Sequence, residues 1–151
     1  MRIIFSSLLV LATLLCFSQK KTNPDSVVWD PPKVDKVPEF KGGDTAMIRF
    51  ISKNVVYPAI AKEEGVQGIV YLTFIVERNG TISNIKALKG VNVDYSKAKH
   101  EEEKEVLKKA AQSLIDESIR VIKLMPPFTP GERYGTQVRV KYLLPIKFSL
   151  Q

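Results

Sequence analysis

Between residues 69 and 76 apolar and polar positions alternate. Val70, Leu72, Phe74 and Val76 fall on one face and Tyr71 and Thr73 on the other, which predicts a strand, Ile69 to Val76, with one buried face. Asn79-Gly80 is a strong hairpin signal, and Thr81 to Leu88 returns as the partner strand. Ile82, Ile85 and Ala87 depart from strict alternation there, so a bulge near Asn84 is expected to restore the phase. A second alternating run, Thr136 to Leu150, sends Val138, Val140, Tyr142, Leu144, Ile146 and Phe148 to one side. Pro145 removes a backbone donor and Arg139, Lys141 and Lys147 lie on the outer face, the pattern of a strand at a sheet edge.

Helical spacing appears in three places. Asp44, after Gly42-Gly43, is the expected N-cap of a helix whose stripe is Met47, Ile48, Phe50 and Ile51 and which stops before Tyr57-Pro58. A short turn, Pro58 to Glu64, has proline at its first position and Gly65 just past its end. From Lys97 to Met125 a long helix presents Leu107, Ala110, Ala111, Leu114, Ser118, Val121 and Ile122 at three-four spacing, until Pro126-Pro127 breaks it. The order helix, hairpin, helix, strand predicts an α+β domain: a three-stranded antiparallel sheet, hairpin plus C-terminal strand, packed on one long helix with short N-terminal helices.

Composition narrows what such a domain does. The chain has 151 residues, 44% hydrophobic and 26% charged, so one globular domain fits and neither disorder nor a disulfide scaffold does. Ile3 to Phe17 is apolar after Met1-Arg2; as a helix it would rise roughly 22 Å, short of a bilayer core of about 30 Å. Residues 1–18 therefore read as a signal peptide, with cleavage between Ser18 and Gln19. An uncleaved anchor, or lipidation at Cys16, are the alternatives, the second against a bulky Leu15. Residues 19–40, with Pro24, Pro31, Pro32 and Pro38, read as an extended linker reaching roughly 55 Å at most over its proline-bearing part, and residues 41–151 as the domain.

Catalytic constellations are wanting. One cysteine and one histidine, Cys16 and His100, exclude an intramolecular disulfide and a Cys/His zinc cluster, so no metal and no cofactor are expected. His100 stands between Lys99 and Glu101 at the polar start of the long helix, and the acids Glu101, Glu102, Glu103 and Glu105 suit a helix amino terminus. No phosphate-cradling glycine motif is present, so the chain is not read as an enzyme. A net charge of +7 admits nucleic acid, anionic lipid or acidic protein, but no aromatic-basic pattern supports nucleic acid and a secretory address removes it. Protein recognition is left. A long inward alternation with outward cations can be protection against aggregation or an edge open to one added strand; Tyr57-Pro58 can be a packing corner or an aromatic contact.

The run Val56 to Ile82, with Tyr57-Pro58, Gly65, Gly68 and Asn79-Gly80, resembles the C-terminal domain of the TonB family. So does the ending: Met125-Pro126-Pro127-Phe128-Thr129-Pro130-Gly131, Gly135, and Val138 to Phe148. The resemblance implies a periplasmic domain that binds an extended segment of a TonB-dependent outer-membrane transporter, or of another envelope protein, by strand addition. It points to Val138, Arg139, Val140, Lys141 and Tyr142 as the docking edge with Tyr57 and Pro58 beside it, and leaves open a homodimer through the same strand. The alternative is a membrane-anchored energy transducer, in contact with the inner membrane only if the N-terminal segment is retained. Against that stand an apolar segment lacking histidine and a short linker. Ser96 to Gln112 reads as an insertion lengthening the long helix relative to the family.

Overall fold

The computed structural model describes residues 26–150; the expected signal peptide, Cys16 and the Ser18/Gln19 junction lie outside them. Strand β2, Gly68–Val76, occupies the middle of the sheet because side chains on both its faces can be covered. Val70, Leu72, Phe74 and Val76 are buried beneath the helices, and Ile75 is buried on the opposite face. Along its whole length β2 pairs antiparallel with β5, Thr136–Phe148, from Gly68 opposite Phe148 to Val76 opposite Val140. On its other flank lies β3, Ile82–Lys89. Between the pairs Ile75/Ser83 and Thr73/Lys86 the returning strand holds one extra residue, and Asn84 there has φ 51°, the left-handed conformation asparagine tolerates. That is the expected bulge.

The sheet is larger than three strands. A three-residue strand β4, Gly131–Arg133, folds back on the start of β5 through the Tyr134-Gly135 turn, and a two-residue strand β1, Val28–Trp29, runs parallel to β5. The order is β1-β5-β2-β3, with β4 also paired to β5. The last strand thus has a strand on its outer flank at Arg139 and Val140, a correction to the expectation of a bare edge. Proline constrains only one flank of a strand, and Pro145 lies beyond the covered part.

One helix seals the inner face. Helix α3, Glu101–Lys123, spans less than the expected Lys97–Met125 but uses the expected stripe: Ala110, Leu114, Ser118, Val121 and Ile122 have no exposed surface. The Ser118 hydroxyl donates to the Leu114 carbonyl at 2.7 Å, so its burial leaves no polar atom unmatched. Helix α1, Gly43–Asn54, buries Met47 and packs Phe50 and Ile51 on the core, whereas Ile48 is 61% exposed and off the stripe. Its N-cap is Gly42, at φ 93°, and Asp44 sits in the first turn without a capping bond from its side chain. Helix α2, Ala59–Glu63, follows Pro58.

The proline-bearing stretch belongs to the packed structure from Val28 onward. Asp35 and Lys36 donate their N–H groups to the Glu132 carbonyl at 2.9 and 3.1 Å, and Glu39 and Thr129 exchange backbone bonds at 3.0 and 2.8 Å. Phe40 is buried, 5.5 Å from the Phe128 ring, which packs at 5.8 Å on Phe74 and 5.5 Å on Tyr142. These rings join the chain before α1, the segment after α3, β2 and β5. At the far end of β2 the Arg139 guanidinium grips Glu77 with bonds of 2.7 and 3.0 Å. That bond, with a second from Ser83, holds the Glu77 carboxyl below its usual value despite partial burial.

Two glycines separate crowding from backbone strain. A Cβ on Gly80 would lie 1.9 Å from the Phe128 carbonyl oxygen, whereas one on Gly135 meets nothing within 4 Å; both have positive φ. Gly80→Ala should cost about 3 kcal/mol and Gly135→Ala about 1 kcal/mol in urea denaturation. Equal losses would show that crowding at the hairpin is unimportant. For Glu77, the stability due to its lowered value is present above the unfolded value and is lost as pH falls through the folded one. Wild type should therefore lose more stability than Glu77→Gln as pH drops from about 5 to about 2, and parallel curves would refute this.

Candidate protein-docking edge

The direction of backbone groups along β5 can be read from Pro145. It lies opposite Tyr71 within an unbroken register, so position 145, which has no N–H, must be one that points away from β2. Alternation then sends the N–H groups of Arg139, Lys141, Leu143 and Lys147 to the outer flank. Thr136 and Val138 have the opposite parity and bond to β4, which continues the β2 flank beyond Val76, whereas at Arg139 and Val140 the outer flank is matched by Val28 and Trp29 of β1. Beyond Val140 no strand pairs with it among the described residues. In the parallel pair Trp29/Val140 it is Trp29 that bonds to the flanking residues Arg139 and Lys141, so the open stretch runs from Tyr142 to Phe148, with Leu143 52% exposed.

This placement divides the expected docking residues. Val138 bonds to Gly131 on the β2 side, and at Arg139 and Val140 the outer flank is taken by β1 of the same chain. Arg139 is moreover committed to Glu77. Tyr142 turns inward and stacks on Phe74 at 5.2 Å; burial raises its phenol above the ordinary value, with the Asp44 and Glu39 carboxylates adding to the effect. Lys141 alone of that run borders the open stretch, and its ammonium lies 3.7 Å from Asp30. Leu143 and Lys147, which sequence reasoning passed over as docking residues, extend it. Their signal was present in the same alternation, two and six residues beyond Lys141.

Tyr57 and Pro58 sit at the other end of the strand. The Tyr57 ring meets Phe148 edge-on at 5.7 Å, and its hydroxyl donates to the Val66 carbonyl at 2.5 Å. Partial burial raises the phenol above its usual value. The joint is held by α3: Glu117 accepts from the Val56 N–H at 2.7 Å, and Arg120, which pairs with Glu117, donates to the Asn54 carbonyl at 2.7 Å. Arg120 holds the Glu117 carboxyl below its usual value. Tyr57 is beside the last strand, then, but as a packing corner with its donor satisfied. From Tyr142 to Phe148 is roughly 20 Å along a strand, which separates it from the β1 end.

A further cluster marks the closed end. The Arg133 guanidinium lies 3.7 Å from the centre of the Trp29 ring and 4.9 Å from that of Tyr134, which is 82% exposed. Across the outer face of the sheet Lys86 and Lys89 of β3 and Lys147 of β5 form no ion pair among the described residues, so that face is cationic. Among those residues no group of histidine, cysteine and carboxylates could hold a metal, and no helix is long and apolar enough to cross a membrane.

The chain resembles known proteins in one part of this structure. Residues 53–98 match the sequence profile described as Gram-negative bacterial TonB protein C-terminal; the match takes in α2, β2 and β3 and stops before α3 and β5. Two solution structures of the Helicobacter pylori TonB C-terminal domain are similar. The longer form is 23% identical over 71% of this chain and 79% of that one, with a TM-score of 0.42. The shorter is 20% identical over 71% and 92%, with a TM-score of 0.43. No curated protein matches the chain. The Tyr57-Pro58 corner and the Asn79-Gly80 hairpin both lie within the matched residues, so the similarity to the TonB C-terminal family covers the segment from the end of α1 through β3.

Proposed function

We propose that this is a periplasmic, non-enzymatic binding domain that takes an extended segment of a TonB-dependent outer-membrane transporter, or of another envelope protein, as an added strand on the outer flank of β5. What supports the reading is the mismatch in length between β5 and its outer neighbours. Thirteen residues of strand are matched on that side, among the described residues, only by the two residues of β1 at Arg139 and Val140. A row of unpaired backbone groups is a template for a guest, with affinity from main-chain bonds and modest demands on guest sequence. Lys141 and Lys147 favour a guest or surroundings of negative charge.

Residues 1–18 are proposed to be a cleaved leader, which places the domain free in the periplasm. Retained, they would anchor it in the inner membrane as an energy transducer. A second copy adding its own β5 would use the same flank and give a homodimer.

Leu143→Pro removes an outward donor and spares the bonds to β2, so it should weaken capture of an envelope partner about tenfold while unfolding stays cooperative. Capture from solubilised outer-membrane fractions checks this, and a folded variant with undiminished capture would eliminate β5 as the docking edge. Lys141→Glu should weaken capture in low salt only. Intact-mass measurement of the periplasmic fraction should find a chain beginning at Gln19; full-length protein in the inner membrane would instead establish the anchored alternative.

A further inference from the structure

Two features of the β5 flank bear on how a guest could reach it. Pro145 offers no donor, so a guest confined to the open stretch finds outward N–H groups at Leu143 and Lys147 with a gap between them. An uninterrupted run of outward donors exists only at Arg139, Lys141 and Leu143, and β1 sits over its beginning.

Strand β1 is poorly secured for an element in that position. It has two residues, and pairing so short is marginal in water. Its side-chain ties are the Trp29 ring against Arg133 at 3.7 Å and Asp30 to Lys141 at 3.7 Å, the latter shared with Lys33 at 3.4 Å. Both acid and lysines are at least half exposed, where ion pairs contribute little. Next comes a turn, Pro31–Lys33, and only then the firmer bonds of Asp35, Lys36 and Glu39 to Tyr134, Glu132 and Thr129. The chain can therefore peel back from Val28 to Asp30 at the Pro31-Pro32 turn while residues 35–40 stay docked.

We propose that Val28-Trp29-Asp30 is a resident occupant of the docking edge, which a guest strand displaces. The guest class it defines is an extended segment in which an aromatic side chain, stacked on Arg133, is followed by a carboxylate that meets Lys141. The proposal rests on strand addition at β5 and adds to it a built-in competitor and a recognition site. Because the resident is tethered, it competes at the high effective concentration of an intramolecular partner, and guests bind more tightly once it is weakened.

Trp29 is the only tryptophan in the chain, so its emission reports directly on the resident strand. The probe is an eight-residue peptide copying residues 26–33 with phenylalanine in place of the tryptophan, titrated into the full chain. Calorimetry should give about tenfold tighter binding to Trp29→Ala than to wild type, and saturation of wild type should shift its emission to the red. Arg133→Gln, which leaves Trp29 in place, should shift affinity as an independent check on the stacking, and thermal unfolding establishes that each variant is folded. A peptide with asparagine for the aspartate should bind more weakly, by a margin that vanishes in high salt. Equal affinity for wild type and Trp29→Ala with unmoved emission would overturn the resident strand; if that binding were still lost in Leu143→Pro, strand addition at β5 would stand. A peptide that bound neither protein would overturn the guest class, and capture of envelope proteins sensitive to Leu143→Pro would then show that strand addition survives without it.

Discussion

The antiparallel ladder between β2 and β5 is the constraint on which the rest of the structure depends. All nine residues of β2 are paired to β5 without a slip, and a slip of one would turn Val70, Leu72, Phe74 and Val76 out to solvent. The register places Leu144, Ile146 and Phe148 beside those side chains under α3. It also determines everything on the far side of β5: which N–H groups face outward, that Pro145 falls among them, and that Lys141, Leu143 and Lys147 share one face. Burial thus fixes the register, and the register fixes the chemistry of the flank.

β2 and β5 are covered on their shared side, and among the described residues the outer edge of β3 and the outer flank of β5 differ. The outer edge of β3 carries an extra residue at Asn84 and another before Lys89, which twist and interrupt it. The flank of β5 is regular apart from Pro145 and is bordered by a two-residue strand from the same chain. Of these two, only the second offers a straight run of donors, and that run begins under β1. A domain of this size gains little from a two-residue strand in packing terms; Trp29 stacks on Arg133, outside the main core.

Most of this architecture was legible in the sequence, and the reasons for the rest are physical. β2 and the inward set of β5 follow from a period of two, α3 from its three-four stripe, and the Asn84 bulge from a break of phase that burial could not otherwise accommodate. What escaped were β1 and β4. Neither is long enough to show a period, and each exists through distant partners: β4 through the Tyr134-Gly135 turn, β1 through Arg139 and Val140, more than a hundred residues away in the chain. The proline-bearing stretch lacked periodicity for the same reason, since it is held by backbone bonds to Glu132 and Thr129 and by one buried ring, Phe40. Asp44 looked like a cap by type, yet Gly42 could take the left-handed conformation that the chain needed two residues earlier.

The candidate site shows why alternation identifies a strand but not its neighbours. Side-chain period tells which face is buried; it is silent on the in-plane direction, where backbone donors and acceptors point. Pro145 supplied the in-plane clue, and it marks position 145 as outward-facing, which is correct, without saying whether Val138 to Val140 are free. The expected docking run therefore lies at the covered end of the strand, and the unpaired flank begins where that run ends. That placement has a mechanical reading: the residues that sequence alone would choose for docking are those the chain covers with its own amino-terminal segment, and the ones left open are divided by a proline. On the proposed strand addition, a guest would gain a continuous set of main-chain bonds only by restoring access to the covered residues, which would make the edge's accessibility and the conformation of Val28 to Asp30 one equilibrium.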